Sequence, residues 1–200
     1  MLCRSYRESY GVRVACGILF NHESRRRDRR FLSRKVVDHV AAVRRSGDRE
    51  PLRVGNLKAR RDWGFAPDYV EGMVRIIRQT SLRGVEDVAR EYRDYVLGTG
   101  RLHHVWELID RAFALAGLAL RWHLDGDDPP AWHATFADSG EPAVVVDAEL
   151  VRPSDPAAIA ADPRRAQTEL GWQPRSDLDV FLGDMLNAAS ARESATFSEA

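Results

Sequence analysis

The chain is short of the residue types that declare a chemistry most openly. It has two cysteines in 200 residues, Cys3 and Cys16. They are too few and too unpatterned for a disulfide framework or a zinc site, and they point to a reducing compartment, the cytoplasm. Net charge is absent: thirty Lys and Arg offset thirty Asp and Glu. That balance argues against bulk attraction to nucleic acid or to an anionic membrane. No run approaches the ~20 apolar residues of a membrane span; the longest, Ala112 to Leu120, suits an amphipathic helix entering a loop. Arg4, Arg7 and Glu8 interrupt the start before any signal-peptide pattern forms. Lysine is nearly missing, with only Lys35 and Lys58 among many arginines.

Two further absences bear on catalysis. A dinucleotide-binding unit needs a Gly-rich turn so that backbone N–H groups can approach the pyrophosphate. Gly98 and Gly100 lack the third glycine of such a turn and stand far from the N-terminus. A tyrosine activated as proton carrier needs a lysine four residues on to lower its pKa. Tyr6, Tyr10, Tyr69, Tyr92 and Tyr95 are followed at that spacing by Tyr10, Val14, Met73, Val96 and Thr99. Redox catalysis of that kind is not encoded in these residues.

What is present is 44% apolar and 30% charged, the composition of a globular chain. Val12 to Phe20 reads VRVACGILF and predicts a strand buried in a parallel sheet. Helices are expected over 33–45, from Pro67 along Val70, Met73, Val74 and Ile77, and along Val105, Leu108, Ile109, Ala112, Phe113 and Ala116 to a cap at Gly117. Two more are expected, one from Asp162 and Pro163 to Gly171, the other along Leu178, Phe181, Leu182, Met185 and Leu186. Short strands are expected at Leu52–Val54, Tyr95–Gly98 and Val144–Val146, with a charged insertion over 81–93. This alternation gives an α/β architecture.

Several segments are distinctive together. Asn21-His22-Glu23-Ser24 leaves the first strand and enters an arginine loop, Arg25 to Arg30, followed by Phe31 to Lys35. Then come VGNLKARRDWGFAPDYVEGM at 54–73, DYVLGTG at 94–100, VRP at 151–153 and DPRRAQTELGWQP at 162–174. In this order they resemble the GDP-mannose 4,6-dehydratases of the extended short-chain dehydrogenase/reductase family, over nearly the whole chain.

The resemblance implies an incomplete extended short-chain dehydrogenase fold: remnant parallel Rossmann-sheet strands plus a small α/β substrate-binding lobe. Residues 1–20 and 59–100 would belong to the dinucleotide-binding sheet layer, 21–58 and 101–190 to the substrate lobe, and 191–200 to a frayed tail. Met1 then falls just after the family's Tyr-Lys pair, so the chain reads as a truncated, sugar-nucleotide-binding half without turnover of its own. The family reaction, a lyase reaction using NADP, converts GDP-mannose to GDP-4-keto-6-deoxymannose. Its substrate contacts match Asn21, Lys35, Arg61, Arg152 and Asp155; its cofactor contacts match His22 and Arg27. A guanidinium fork suits a diphosphate, which makes a set of cations on separate segments chemically sensible.

Arg26 and Arg27 would also reach a neighbouring subunit in a homo-oligomer, a dimer or tetramer. The sequence departs from the family loop at Arg25, where a proline is usual, and at Asp28, where glycine is usual. It also has Asp155 where glutamate is usual.

Plainer readings stand beside these. The arginines could form a solvated loop, Asn21 a turn former, and Arg61 with Asp62 a surface ion pair. His103 with His104, and His123 with His133, lack zinc-site spacing and read as polar contacts, so no metal is expected. The five tryptophans read as packing residues. Neither a nucleic-acid nor a membrane partner is expected. Two alternative functions stay open: a non-catalytic module that binds nucleotide-sugars or docks on another subunit, and a dehydratase, epimerase or reductase for another NDP-sugar.

Overall fold

A computed structural model of the protein describes residues 2–82, 93–152, 154 and 156–197. The chain divides into two compact units, each assembled from three stretches of sequence. The first takes residues 1–22, 62–101 and 160–176; the second takes 23–61, 102–159 and 177–200.

In the first unit, helix α1 spans Leu2–Tyr10 and strand β1 spans Gly17–Leu19. Strand β2 is Asn21–Glu23, and the division between the units falls within it. After β5 (Trp63–Phe65) the chain enters α3 (Ala66–Leu82) and then β6 (Tyr95–Leu97). β1 and β6 run parallel, from Gly17 opposite Tyr95 to Leu19 opposite Leu97. The strand is shorter than its apolar run predicts, and Val12 and Ile18 are 42% and 50% exposed. The reason is topological: among the described residues β1 has a strand neighbour only in β6, whereas a continuous apolar run suits a strand covered on all sides. Most of the charged insertion lies outside the described residues.

α3 starts as expected, with Pro67 in its first turn. Its buried face differs. Tyr69 and Ile76 are inside, while Val70, Val74 and Ile77 are exposed. Both sets have helical spacing, so periodicity finds the helix but not the side that packs. Tyr69, Ile76, Tyr95, Leu97, Ala166 and Trp172 form the core. The last two belong to α5 (Arg164–Leu170) and the turn after it. Asp162 accepts the Arg164 N–H, and Gly171 ends the helix in the left-handed region at φ 59°. Arg75 of α3 donates to the carbonyls of Leu170 and Gly171.

The second unit contains α2 (Leu32–Ser46), β3 (Leu52–Val54), β4 (Arg60–Arg61), β7 (His103–His104) and α4 (Val105–Leu115). It continues with β8 (Leu120–His123), β9 (His133–Phe136), β10 (Pro142–Val146), β11 (Ala158–Ile159) and α6 (Leu178–Phe197). One sheet has the order β3-β10-β9-β8, with β3 parallel to β10 and the other pairs antiparallel. A smaller sheet has the order β11-β4-β7.

The apolar faces expected of the three helices are the buried ones: Val36, Val37 and Val40; Leu108, Ile109 and Phe113; Phe181, Leu182 and Met185. These helices pack on one another, and Phe113 meets Phe136 of β9 at 6.0 Å between ring centres. β8 and β9 have no counterpart in the sequence expectation: their residues LRWH and HATF do alternate, but four residues are too short a run to stand out. α6 runs to Phe197, beyond the polar point at Ser190 where fraying is expected. Trp63, Trp132 and Trp172 are buried, as packing residues should be. Both cysteines are free, and among the described residues no helix is long and apolar enough to cross a membrane.

Candidate functional site

In the second unit, β3 and β10 are parallel and end together, the position where α/β sheets present loops to ligands. Lys35, in the first turn of α2, donates from Nζ to the Arg53 carbonyl of β3 at 2.7 Å. The loop after β3 then meets the segment after β10. A Cβ built on Gly55 falls 2.4 Å from the Leu150 carbonyl oxygen, so only glycine permits this approach. Arg152, exposed, follows two residues later. Arg61 of β4 donates from its guanidinium to the carbonyls of Arg60 (2.8 Å) and Pro156 (2.7 Å). Leu150 is thus met by Gly55, and Pro156 is held by Arg61. Three of the expected cations, Lys35, Arg61 and Arg152, lie in this unit; Asp155 lies outside the described residues. Gly55→Ala is expected to displace the 150–152 backbone and lower the thermal midpoint, by the ~1–3 kcal/mol of an overpacked site. A melt unchanged from wild type would contradict the contact.

Two clefts of this unit are not themselves phosphate sites. One, of about 360 Å³, is lined by Lys35, His39, Asp48, Glu50 and Arg53, so its charges balance. His39 there is held below its ordinary pKa, chiefly by burial. A second, also about 360 Å³, is lined by Trp106, Glu107, Asp110, Arg111 and Asp179 and is net acidic.

The arginine loop is engaged within its own unit. Arg25 pairs with Asp184 at 2.7 Å, Arg30 with Asp28 at 3.0 Å, and Arg29 and Arg34 with Asp38 at 3.4 and 2.7 Å. Arg27 lies with its guanidinium 3.5 Å from the Phe31 ring centre. Its Nε is 3.1 Å from Glu23 Oε2, within ion-pair range but without hydrogen-bond geometry. Glu23 is 1% exposed and accepts the Ser33 hydroxyl at 2.5 Å. Asp28 takes no positive φ, as no non-glycine residue among those described does. It accepts the Arg30 N–H at 2.9 Å, so aspartate makes its own turn where glycine is usual.

In the first unit, Asn21 donates to the Asp62 carbonyl at 3.3 Å. His22 Nδ1 lies 2.7 Å from the Phe20 carbonyl, and its ring stacks on Tyr69 at 5.1 Å. Among the described residues these contacts set the His22 ring but supply no row of backbone donors of the kind that cradles a dinucleotide pyrophosphate.

One residue was not legible as important. Asp62, wholly buried, accepts from Thr99 N (2.9 Å), Thr99 Oγ1 (2.5 Å), Gly100 N (2.8 Å) and Ala161 N (3.1 Å). It is not the surface ion-pair partner of Arg61 that adjacency suggests. Its signal is indirect: the GTG turn at 98–100 has amides that need an acceptor.

Two solved structures with this fold define the class. RMD from Pseudomonas aeruginosa complexed with NADPH superposes with a TM-score of 0.73 at 18% identity, over 96% of this chain and 53% of that one. The dTDP-glucose 4,6-dehydratase of Bacillus anthracis in complex with NAD gives 0.66 at 15% identity, over 97% and 50%. The chain carries part of the α/β fold of the short-chain dehydrogenase/reductases.

Sequence narrows the class further. The GDP-mannose 4,6 dehydratase family model matches residues 1–185. The GDP-mannose 4,6 dehydratase of Cricetulus griseus is 33% identical over 92% of this chain and 46% of its own length. That of Sinorhizobium fredii is 36% identical over 91% and 48%. The chain belongs to the GDP-mannose 4,6 dehydratase family, and it spans about half the length of these curated relatives.

Proposed function

We propose that the chain binds a GDP-linked sugar as the substrate-gripping part of a GDP-mannose 4,6-dehydratase. The observation that supports this is that Lys35, Arg61 and Arg152 lie on three separate segments of one unit of a family member, with Lys35 tied to Arg53, Gly55 against Leu150 and Arg61 tied to Pro156. Guanidinium and ammonium groups on separate segments would suit the oxygens of a diphosphate, Arg by its fork and Lys as a point charge. The family resemblance adds Asn21 and Asp155 to the substrate contacts, and His22 and Arg27 to the cofactor contacts.

A bound nicotinamide cofactor would supply the hydride chemistry of the family reaction, and NADP is the form we assign. Within this chain, His22 and Arg27 would orient against that cofactor, each already set by its neighbours. No residue here serves as the proton carrier, because no tyrosine has a lysine four residues on. We therefore assign binding, and not turnover, to these 200 residues in a cytoplasmic homo-oligomer.

The test is a thermal-shift titration with GDP-mannose, GDP, and UDP- and dTDP-sugars. GDP and GDP-mannose are expected to stabilise the chain, and the other nucleotides to do so less. Arg61→Ala should weaken GDP binding by roughly 10- to 100-fold, the loss of a charge-assisted hydrogen bond of ~1.5–3 kcal/mol. Arg61→Lys should recover part of it. Absence of GDP binding at millimolar concentration would overturn the reading. Equal stabilisation by UDP-sugars would reassign the substrate, and formation of a 4-keto-6-deoxy sugar with NADP would overturn the assignment of binding alone.

A further inference from the structure

His123 closes β8 and His133 opens β9, ten residues apart and separated by a loop. They are direct cross-strand partners in the antiparallel pair. Their rings face each other with centres 4.6 Å apart and planes 14° from parallel. This register, invisible to any motif spacing, brings two imidazoles to one place at the end of the sheet.

The hydrogen bonding decides what they can do there. His133 Nδ1 lies 2.9 Å from the Ala131 carbonyl oxygen. A carbonyl only accepts, so Nδ1 carries the proton and Nε2 of the neutral ring keeps its lone pair. A backbone carbonyl holding one ring nitrogen while the other is left as a ligand is the usual support of a metal-bound imidazole. His123 is exposed, and its ring makes the stack on His133 without a hydrogen bond among the described residues. The connecting loop carries Asp125, Asp127 and Asp128; the cations beside it are Lys58, which donates to Gly126 O at 2.8 Å, and Arg121, on the same face of β8 as His123.

We infer that His123 and His133 form a two-imidazole binding site for a divalent transition-metal ion. Two nitrogens bound to one tetrahedral zinc at ~2.0–2.1 Å stand about 3.3 Å apart. The rings are stacked with centres 4.6 Å apart, so binding requires the exposed His123 ring to turn and aim a nitrogen at the ion while His133 keeps its bond to Ala131. Among the described residues no group of three or more metal-ligating side chains is present. Water therefore completes the shell, and the ion exchanges readily. Imidazole nitrogen suits Zn²⁺, Ni²⁺ and Cu²⁺, with Cu²⁺ tightest; Mg²⁺ and Ca²⁺ prefer oxygen.

The experiment is a calorimetric titration of the full chain with ZnCl₂ and NiCl₂ near neutral pH, with MgCl₂ as control. One saturable site is expected for Zn²⁺ and Ni²⁺, reversed by chelator, and none for Mg²⁺. His123→Ala and His133→Ala should each abolish it, while His103→Ala should leave it intact. His123 is exposed, so its variant should keep the wild-type circular dichroism and decides the matter alone if His133→Ala misfolds. No saturable transition-metal binding in the wild type, or binding that survives His123→Ala, would overturn the site.

Discussion

Trp172→Ala is expected to lower the stability of the first unit by about 3–5 kcal/mol, the range for truncating a buried tryptophan. The indole is 1% exposed, packs edge-on against Tyr69 at 5.9 Å, and shares a core with Ile76, Tyr95 and Leu97. Its Nε1 donates to the Asp68 carbonyl at 2.7 Å. Asp68 in turn receives the Arg175 and Ser176 amides on its carboxylate, so the turn after α5 is tied to the start of α3. Removing the ring leaves a cavity and takes one of the donors from the Asp68 carbonyl. Urea unfolding followed by circular dichroism should show an earlier first transition. Trp172→Phe should recover most of the packing but not the hydrogen bond. A midpoint within error of wild type for Trp172→Ala would mean that this core is not formed.

Asp62→Ala should be nearly as damaging, at about 3–4 kcal/mol. Three backbone amides and one hydroxyl converge on this buried carboxylate. Hydrogen bonds to a charged group contribute ~1.5–3 kcal/mol each in favourable cases, and an orphaned buried donor costs about 1–3. Water entering the vacated space would meet part of that cost, which keeps the total below the sum. Asp62→Asn tests the chemistry separately. It keeps the volume but turns an NH₂ group towards N–H donors, so it should resemble alanine more than wild type. The neighbouring Gly98 leaves no slack, since a Cβ there would lie 2.2 Å from Ala161 Cβ. Amide exchange at Thr99, Gly100 and Ala161 should accelerate together in both variants. Unchanged protection at these three amides would refute the clamp.

The two variants also separate packing from binding. Neither residue is assigned to the nucleotide, so loss of GDP affinity in either should track loss of the folded first unit. Arg61→Ala should lower affinity with the fold retained. A variant of Asp62 that folds yet loses GDP would move the site towards the 98–100 turn.

The sequence by itself determined the α/β class, the helices at 32–46, 105–115 and 164–170, and the family, because local periodicity, capping residues and ordered motifs are all written along the chain. It also showed the missing glycine turn and tyrosine–lysine pair. Tertiary structure decided the rest. It set which side of α3 is buried, since Val70, Val74 and Ile77 have the same spacing as the residues that pack. It made β8 and β9 strands through their partners rather than their composition. It gave Asp62 four donors drawn from residues 37 to 99 positions away, and set His123 against His133. Such contacts depend on which distant segments meet, and pairing across that separation leaves no periodic trace in the chain.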